Sequence, residues 1–360
     1  MRIVVDAMGG DFAPTEVISG AVESIRQYGY NIVLVGDERL INKELSKYSK
    51  SDRDKIFVVH TEEAVTMEDS PSQVVRGKRN SSIHIALKML KNGEASGFFS
   101  AGNTGAIMAI SKLFLRTIEG VDRPAIGAVL PTMKGHTVML DVGANVDCKP
   151  IHFLQFAIMG SAYAKIVLNI DDPTVKLLSI GEEDVKGNEL TKSVFKLLQN
   201  SEGINFRGNV EGKEIFKGVC DVIVCDGFAG NIALKASESA AGYISKLLKE
   251  ELTRNFVSKI GALLAKGAFD RIKKHADYTE YGGAPLLGVN GVVIIGHGSS
   301  NSNAVKNGIR VAHELAEQKL TAVIEKNIRD GYSAMKVDKG ESFWNNIKEK
   351  LKKLNKTEDD

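Results

Sequence analysis

The sequence predicts an α/β protein, a doubly wound three-layer α/β/α sandwich on a mostly parallel sheet, with a protruding helical segment. Three observations carry this. Short β-branched runs alternate with longer helical patterns almost from end to end, the signature of βαβ units. Several runs, such as Ile3-Val4-Val5, are apolar throughout, as strands covered by helices on both faces must be. Five glycine-bearing turns follow such runs: DAMGGD from Asp6, SAGNTG from Ser100, LDVGANVD from Leu140, CDGFAGN from Cys225 and GHGSSNSN from Gly296. In an open α/β sheet these turns are expected to meet at the carboxyl ends of the strands, where ligands bind.

The elements follow in order. Strands are expected at 2–5, 31–35, 55–60, 97–100, 125–130, 137–141, 175–179, 206–210, 221–225 and 292–296. The segment 15–28 reads as a helix, with Val17, Ile18, Ala21, Val22 and Ile25 tracing one face. The short turn at Met133-Lys134-Gly135 makes 125–130 and 137–141 a candidate antiparallel excursion. One long helical stretch, about 231–275, breaks the alternation before a loop at 278–287, and Gly261 and Gly267 suggest a bend in it. No linker or internal repeat interrupts the chain. The expected organisation is one domain over 1–333, a helical excursion at about 240–276, and a basic amphipathic extension at 334–360. In that extension Phe343, Trp344, Ile347, Leu351 and Leu354 are opposed by lysines. Its expected role is packing on the protein body.

Composition narrows the function. A formal charge of +2 over 360 residues excludes a globally basic nucleic-acid binder, and 6% aromatic residues argues against base-stacking platforms. Cys148, Cys220 and Cys225 form no CxxC pair, which points to reduced thiols in the cytoplasm and away from structural zinc. The apolar run after Arg2 is too short for a signal peptide, and no run approaches the ~20 residues that span a bilayer. A cytoplasmic protein, at most peripheral to a membrane, is expected.

The turns carry the chemistry. DAMGGD matches neither GxGxxG nor the P-loop spacing. Asp6, Gly9 and Gly10 read either as a phosphate cradle or as a tight turn with a capping carboxylate. In SAGNTG, Gly102 and Gly105 flank Asn103 and Thr104 at an expected helix N-terminus, which offers N–H groups to an anion. Asp141, Asn145 and Asp147 have no histidine at ligand spacing, so no metal is expected. Asp141 and Asn145 are candidates for the substrate edge, with hydrogen bonding of their own loop as the alternative for Asp141. Lys186, in a polar turn after 175–179, is the best cationic candidate for stabilising charge. In GHGSSNSN, Ser299 and Ser300 could bind phosphate, and His297 could be an acid or base or a packed turn residue. A packing role is expected for His60, His84, His152 and His313.

Between Lys246 and Lys274 eight Lys/Arg face three acids, with Phe256, Ile260, Leu263, Leu264 and Phe269 interleaved. Lys259, Leu263, Leu264, Lys266, Lys273 and Lys274 therefore form a candidate surface for an anionic membrane or an acidic protein, or a dimerisation helix.

VDAMGGDFAP, SAGNTGA, RPAIGAVLPT, LDVGANVDCKP, KGNELT, DGFAGNIALK and YGGAPLLGVNG with GHGSSNSNAV together resemble the bacterial phosphate acyltransferases of phospholipid synthesis, in order, from Met1 to about residue 330. The resemblance implies a fold similar to phosphotransacetylases and to the isocitrate/isopropylmalate dehydrogenase group, a homodimer, and no cofactor. It implies reversible transfer of a fatty acyl group from acyl carrier protein to inorganic phosphate. The acyl phosphate is used by a membrane glycerol-3-phosphate acyltransferase, an implied partner. On that resemblance the turn at Gly102–Gly105, Ser299 and Ser300 would hold phosphate. Lys186 and Asn231 would stabilise charge, and His297 would protonate the departing thiolate. VDAKP is usual in the family where this chain has Cys148, which argues against a cysteine nucleophile. A short-chain acyl-CoA phosphotransacylase and an NAD-dependent decarboxylating dehydrogenase are the rival readings on the same architecture.

Overall fold

The computed structural model describes residues 1–276 and 278–333; the expected extension at 334–360 lies outside the described residues. Among the described residues, eleven strands form one mixed sheet: β1 (Arg2–Asp6), β2 (Asn31–Gly36), β3 (Ile56–His60), β4 (Gly97–Ser100), β5 (Ala125–Thr132), β6 (Gly135–Leu140), β7 (Thr174–Ser179), β8 (Asn205–Glu211), β9 (Val222–Val224), β10 (Ala284–Leu287) and β11 (Val292–Ile295). Their order is β3-β2-β1-β4-β11-β10-β5-β6-β9-β7-β8.

Three layers follow from side-chain alternation, because successive residues of a strand point to opposite faces. Ile3 and Val5 join one apolar core and Val4 the other. Val138 and Leu140 divide from Met139 in the same way, as do Val222 and Val224 from Ile223. The helix Thr15–Tyr28 buries the predicted stripe Val17, Ile18, Ala21, Val22 and Ile25. It packs on the helix Ser302–Glu317 through Gly20, where a Cβ would stand 2.6 Å from Ser302 O and from Val305 Cβ. The helix Pro150–Val167 is buried over most of its length, and its proline sits at the first turn, where the missing N–H costs nothing.

Strand direction is where the structure departs from the expected arrangement. β3, β2, β1, β4 and β11 are mutually parallel, and so are β6, β9, β7 and β8. Between them β10 is antiparallel to both β11 and β5, and β5 is antiparallel to β6. Three reversals leave the two parallel halves running in opposite directions. The antiparallel excursion is thus real, closing at Thr132↔Gly135, and it turns the second half of the sheet around. β10 lies inside the segment 278–287 expected to be loop; Gly282, Gly283 and Pro285 look like turn residues, yet Pro285 pairs with Ile294.

The helical stretch is a three-piece arm: Gly227–Thr253, Phe256–Leu264 and Lys266–Ala276. It breaks at Asn255, whose side chain caps the second piece by accepting from Ser258 N at 2.8 Å, and again at Ala265. Gly261 lies inside a helix and Gly267 in the first turn of the last piece, so neither marks the bend. Of the 27 residues in the first piece only Gly227 and Gly230 are buried. The helix is about 40 Å long at 1.5 Å per residue; Ala229, Ala233 and Leu234 still pack on the body's core, and residues 238–251 are exposed.

Candidate active site

Opposed strand directions sort the five turns into two groups. Those after β1, β4 and β11 lie at one edge of the sheet, here the first edge. Those after β6 and β9, with the Lys186 turn after β7, lie at the opposite or second edge. The expectation that all five turns meet in one chain is therefore overturned.

At the first edge three turns interlock. Asp6 is fully buried, and its Oδ2 accepts from Ser100 Oγ at 2.7 Å. Ser100 Oγ in turn accepts from Gly102 N at 3.0 Å. Burial pushes the Asp6 carboxyl above its usual range, opposed by donors from Ser82, Ser100 and the amides of Met8 and Gly9. Gly9 lies over this pair, where a Cβ would stand 2.5 Å from Asp6 Oδ2 and 2.7 Å from Ser100 Oγ. Gly10 has φ +108, a left-handed conformation that favours glycine, and abuts Ala101 and Gly298. Asp11 N donates to Gly298 O at 2.8 Å.

Asn103 caps the helix Thr104–Leu115, its Oδ1 accepting from Ala106 N at 3.0 Å. Its Nδ2 donates to the carbonyls of Thr66, Met67 and Asp69. The Asn103 amide is therefore spent on the cap and on tying down the 66–69 loop. For an anion this leaves the amides of Thr104 and Gly105 at the helix N-terminus. Ser300 Oγ donates to His297 O at 2.6 Å and is buried, so the exposed hydroxyl of this turn is Ser299's. His297 Nδ1 lies 2.8 Å from Ser299 Oγ and accepts from Ser299 N at 3.3 Å. An Nδ1 that accepts leaves the ring proton on Nε2.

At the second edge, buried Asp141 builds its own loop. Oδ1 accepts from the amides of Ile126, Gly143 and Ala144, and Oδ2 accepts from Asn145 N at 2.7 Å and Asn145 Nδ2 at 2.8 Å. Asn145 Nδ2 also donates to Pro124 O. Both side chains are buried, so they shape the turn and do not project from it. Burial raises the Asp141 carboxyl, and these donors oppose the shift. Gly227 N donates to Asn145 O at 2.7 Å, and a Cβ on Gly230 would collide with Asp141 O. The two turns fit only because both positions are glycine. Asn231 stands exposed beside Gly143, its Oδ1 3.7 Å from where a Cβ would be.

Lys186 is exposed on the neighbouring turn, its stem over Gly181. Glu182 pairs instead with Lys213 at 3.9 Å, and Lys186 takes no carboxylate partner among the described residues. The thiol of Cys148 is pushed up to about 12, chiefly by burial and then by Asp141 and Asp226. It is protonated at neutral pH and a poor nucleophile.

Comparison with known proteins gives the arrangement its context. Residues 1–323 match the family model described as "Fatty acid synthesis protein". A phosphate acyltransferase of Geotalea uraniireducens is 49% identical over 92% of this chain and 95% of its own length. One from Pelotomaculum thermopropionicum is 51% identical, covering 91% and 95%. The chain belongs to the phosphate acyltransferase family. It is accordingly an acyltransferase. Among solved structures it is similar to a phosphotransacetylase from Staphylococcus aureus (TM-score 0.59, 16% identity, 88% of this chain and 94% of that one). It is also similar to a 4-hydroxythreonine-4-phosphate dehydrogenase from Klebsiella pneumoniae (TM-score 0.50, 13% identity, 88% and 97%). At such identities these matches establish the fold alone.

Sequence reasoning missed one part of the candidate site. The 66–69 loop covers the first edge, with Met67 over Gly298, and is held by Asn103 and by Lys78 paired to Asp69. Lys78 keeps the Asp69 carboxyl below its usual range. The signal was the Ser70/Gln73 capping box with Pro71 at the first helical position, which marks a loop ending at Ser70. Of the four histidines expected to pack, three do so, and His60 is exposed instead. His84 is buried against Ser81 and Phe114, His152 is buried, and His313 stacks on Tyr30. His60 Nδ1 accepts from Glu38 N.

Among the described residues no helix is long and apolar enough to cross a membrane. On the arm, Lys259, Leu263, Leu264 and Lys266 are exposed. Lys273 and Lys274 belong to its last helix, but their side chains lie outside those described.

Proposed function

We propose that this acyltransferase moves a fatty acyl group from the phosphopantetheine thioester of acyl carrier protein to inorganic phosphate, reversibly, and so supplies acyl phosphate for phospholipid synthesis. The observation that carries the reading is the first edge itself: three turns locked together by the Asp6–Ser100–Gly102 hydrogen bonds, presenting helix N-terminal amides, Ser299 and His297. Amides fixed in advance stabilise a polyanion without reorganising when charge develops.

An oxygen of hydrogen phosphate attacks the thioester carbonyl and the C–O bond forms. The tetrahedral oxyanion collapses, the C–S bond breaks, and the thiolate leaves. Phosphate is already a nucleophilic anion at neutral pH, so no strong base is needed. The thiolate takes the His297 Nε2 proton while Nδ1 receives, through Ser299 Oγ, the proton that hydrogen phosphate loses on forming the acyl phosphate, so the ring stays neutral throughout. Thr104 and Gly105 amides with Ser299 Oγ hold the phosphate, and in the homodimer that the family resemblance implies the partner's Lys186 with the partner's Asn231 offsets the developing charge.

The carrier is acidic and the donor is lipid-like, and the arm suits both by charge and by apolarity. Its second helix exposes Phe256, Val257, Leu263 and Leu264 beside Lys259 and Lys266. That face lies against an anionic membrane surface, near the membrane acyltransferase that consumes the product. No nucleic-acid partner is invoked. Incubating the protein with phosphate and either long-chain acyl carrier protein or short-chain acyl-CoA, then trapping with hydroxylamine, tests the reading. Hydroxamate from the carrier-bound donor supports it. A strong preference for short acyl-CoA would replace it with a phosphotransacylase, and NAD reduction in place of either would replace it with a dehydrogenase.

A further inference from the structure

Resting on the role proposed for Lys186, we propose that two residues beneath its turn aim the ammonium: Asn209 is a positioning residue for the turn's backbone, and Gly181 for the path of the lysine stem. The turn leaves β7 at Ser179 and enters the helix Glu189–Gln199. Glu182, Glu183, Asp184, Val185 and Lys186 are all exposed along it. A cation stabilises a transition state best when it is fixed before charge develops, so that nothing has to reorganise. What fixes this turn therefore decides what Lys186 contributes.

Three anchors hold the turn. Glu182 pairs with Lys213 at 3.9 Å, with both side chains more than half exposed, and an exposed pair of that kind fixes little. Asn188 accepts from Thr191 N at 2.8 Å, which sets the start of the following helix and does not reach Lys186. Asn209, on the neighbouring strand β8, is buried, and its Nδ2 donates to Glu183 O at 3.0 Å. The same carbonyl accepts from Lys186 N at 3.0 Å. One acceptor thus joins the lysine's own backbone to a side chain rooted in the sheet. Asn209 is set in turn by its place opposite Leu177 in the β7–β8 ladder and by Lys176 Nζ, which donates to Asn209 O at 3.3 Å.

Stability alone does not account for an asparagine at this position. Its Oδ1 is buried and has no hydrogen-bond partner among the described residues, and the same holds for Ser179 Oγ on the facing strand. Unpaired buried acceptors are uncommon and oppose folding. An apolar side chain would suit the neighbours Leu177 and Val210, both fully buried; the amide is explained by what its Nδ2 holds. Gly181 adds the second constraint. A Cβ there would stand 2.7 Å from Lys186 Cγ and 3.1 Å from Lys186 Cβ, so the lysine stem lies across this buried glycine. Gly181 is not among the glycines of positive φ, and an alanine fits its backbone. What an alanine does not fit is the present course of the Lys186 stem.

The test measures acyl-phosphate formation for Asn209→Ala and Gly181→Ala, each in the parent and in the Lys186→Met protein. Each single change is expected to lower kcat by roughly tenfold to a hundredfold, the scale of a misplacement of about 1 Å. KM for phosphate and for the acyl donor should move less than about twofold, because the charge acts in the transition state. In Lys186→Met, where no ammonium is left to aim, the same two changes should cost less than about twofold in kcat. Equal losses in both backgrounds would overturn the proposal, since the two residues would then serve only the fold. Parental turnover in both single variants would overturn it too. Alanine at 209 leaves Glu183 O paired with Lys186 N, and alanine at 181 removes no hydrogen bond. Thermal melting checks that each variant folds, and Gly181→Ala decides the matter alone if Asn209→Ala does not. Parental turnover in Lys186→Met would overturn the proposal together with the role of that lysine. A parent enzyme that forms no acyl phosphate from any donor would overturn the functional reading itself. Both results are distinct from equal losses in the two backgrounds.

Discussion

Replacing Ser100 with alanine probes the lock at the first edge. Ser100 Oγ donates to the buried Asp6 carboxylate at 2.7 Å and accepts from Gly102 N at 3.0 Å. Losing a hydrogen bond to a charged group costs about 1.5–3 kcal/mol, and leaving a buried amide unpaired costs about 1–3 kcal/mol. Asp6 is 1% exposed, so solvent does not discount either figure, and a total of about 2.5–6 kcal/mol is expected. The cost should depend on the charge. In an Asp6→Asn background the same serine makes an ordinary hydrogen bond, worth about 1 kcal/mol, so the double-mutant cycle should show a coupling of about 0.5–2 kcal/mol. Urea denaturation of the four proteins measures it. A Ser100→Ala cost below about 0.5 kcal/mol, or strictly additive effects, would refute the lock. Turnover should fall with the lock, since the Gly102–Gly105 turn loses its anchor.

Four further outcomes follow from the same geometry. Lys186→Met should lower acyl-phosphate formation by at least a hundredfold, about 3 kcal/mol of lost charge stabilisation, with the melting temperature unchanged because the side chain is exposed; near-parental turnover would remove Lys186 from the mechanism. Cys148→Ala should keep parental turnover, and the parent Cys148 should resist alkylation at pH 7.5, because its thiol titrates near 12. Burial lowers the His84 pKa, so the stability this neutral ring contributes is full above its unfolded pKa near 6.5 and is lost as pH falls through the folded value. The slope is at most about 1.4 kcal/mol per pH unit for one group, and melting temperatures between pH 7.5 and 5 should fall less steeply in His84→Asn. Leu263→Asp with Leu264→Asp should abolish flotation with anionic vesicles while leaving the body's melting unchanged; unaltered flotation would take the arm tip off the membrane.

Much of the fold was legible because strands covered on both faces write themselves as apolar runs, as Ile3-Val4-Val5 does, and ten of the eleven strands among the described residues lie where they were expected. β10 does not, since Gly282, Gly283 and Pro285 imitate a turn, and only pairing to β11 and β5 makes Ala284–Leu287 a strand. That one hidden strand matters, because each antiparallel step between β11 and β6 decides which edge a turn reaches. The glycine turns were visible as ligand-type loops, but their direction is a property of the sheet and not of any local pattern. The inward-facing roles of Asp141 and Asn145 and the capping role of Asn103 were partly readable, since Asx side chains at such positions bond nearby backbone. The capping box at Ser70 marks where the 66–69 loop ends, but the loop's place over Gly298 was not readable because it depends on contacts between residues far apart in the chain.

The most direct measurement of the central claim couples thiol release to acyl-phosphate formation, using long-chain acyl carrier protein and ¹⁸O-labelled inorganic phosphate. Free carrier thiol and labelled acyl phosphate should appear one for one, with no thiol released when phosphate is withheld. Thiol release that proceeds without phosphate, or yields free fatty acid in place of the labelled product, would contradict it.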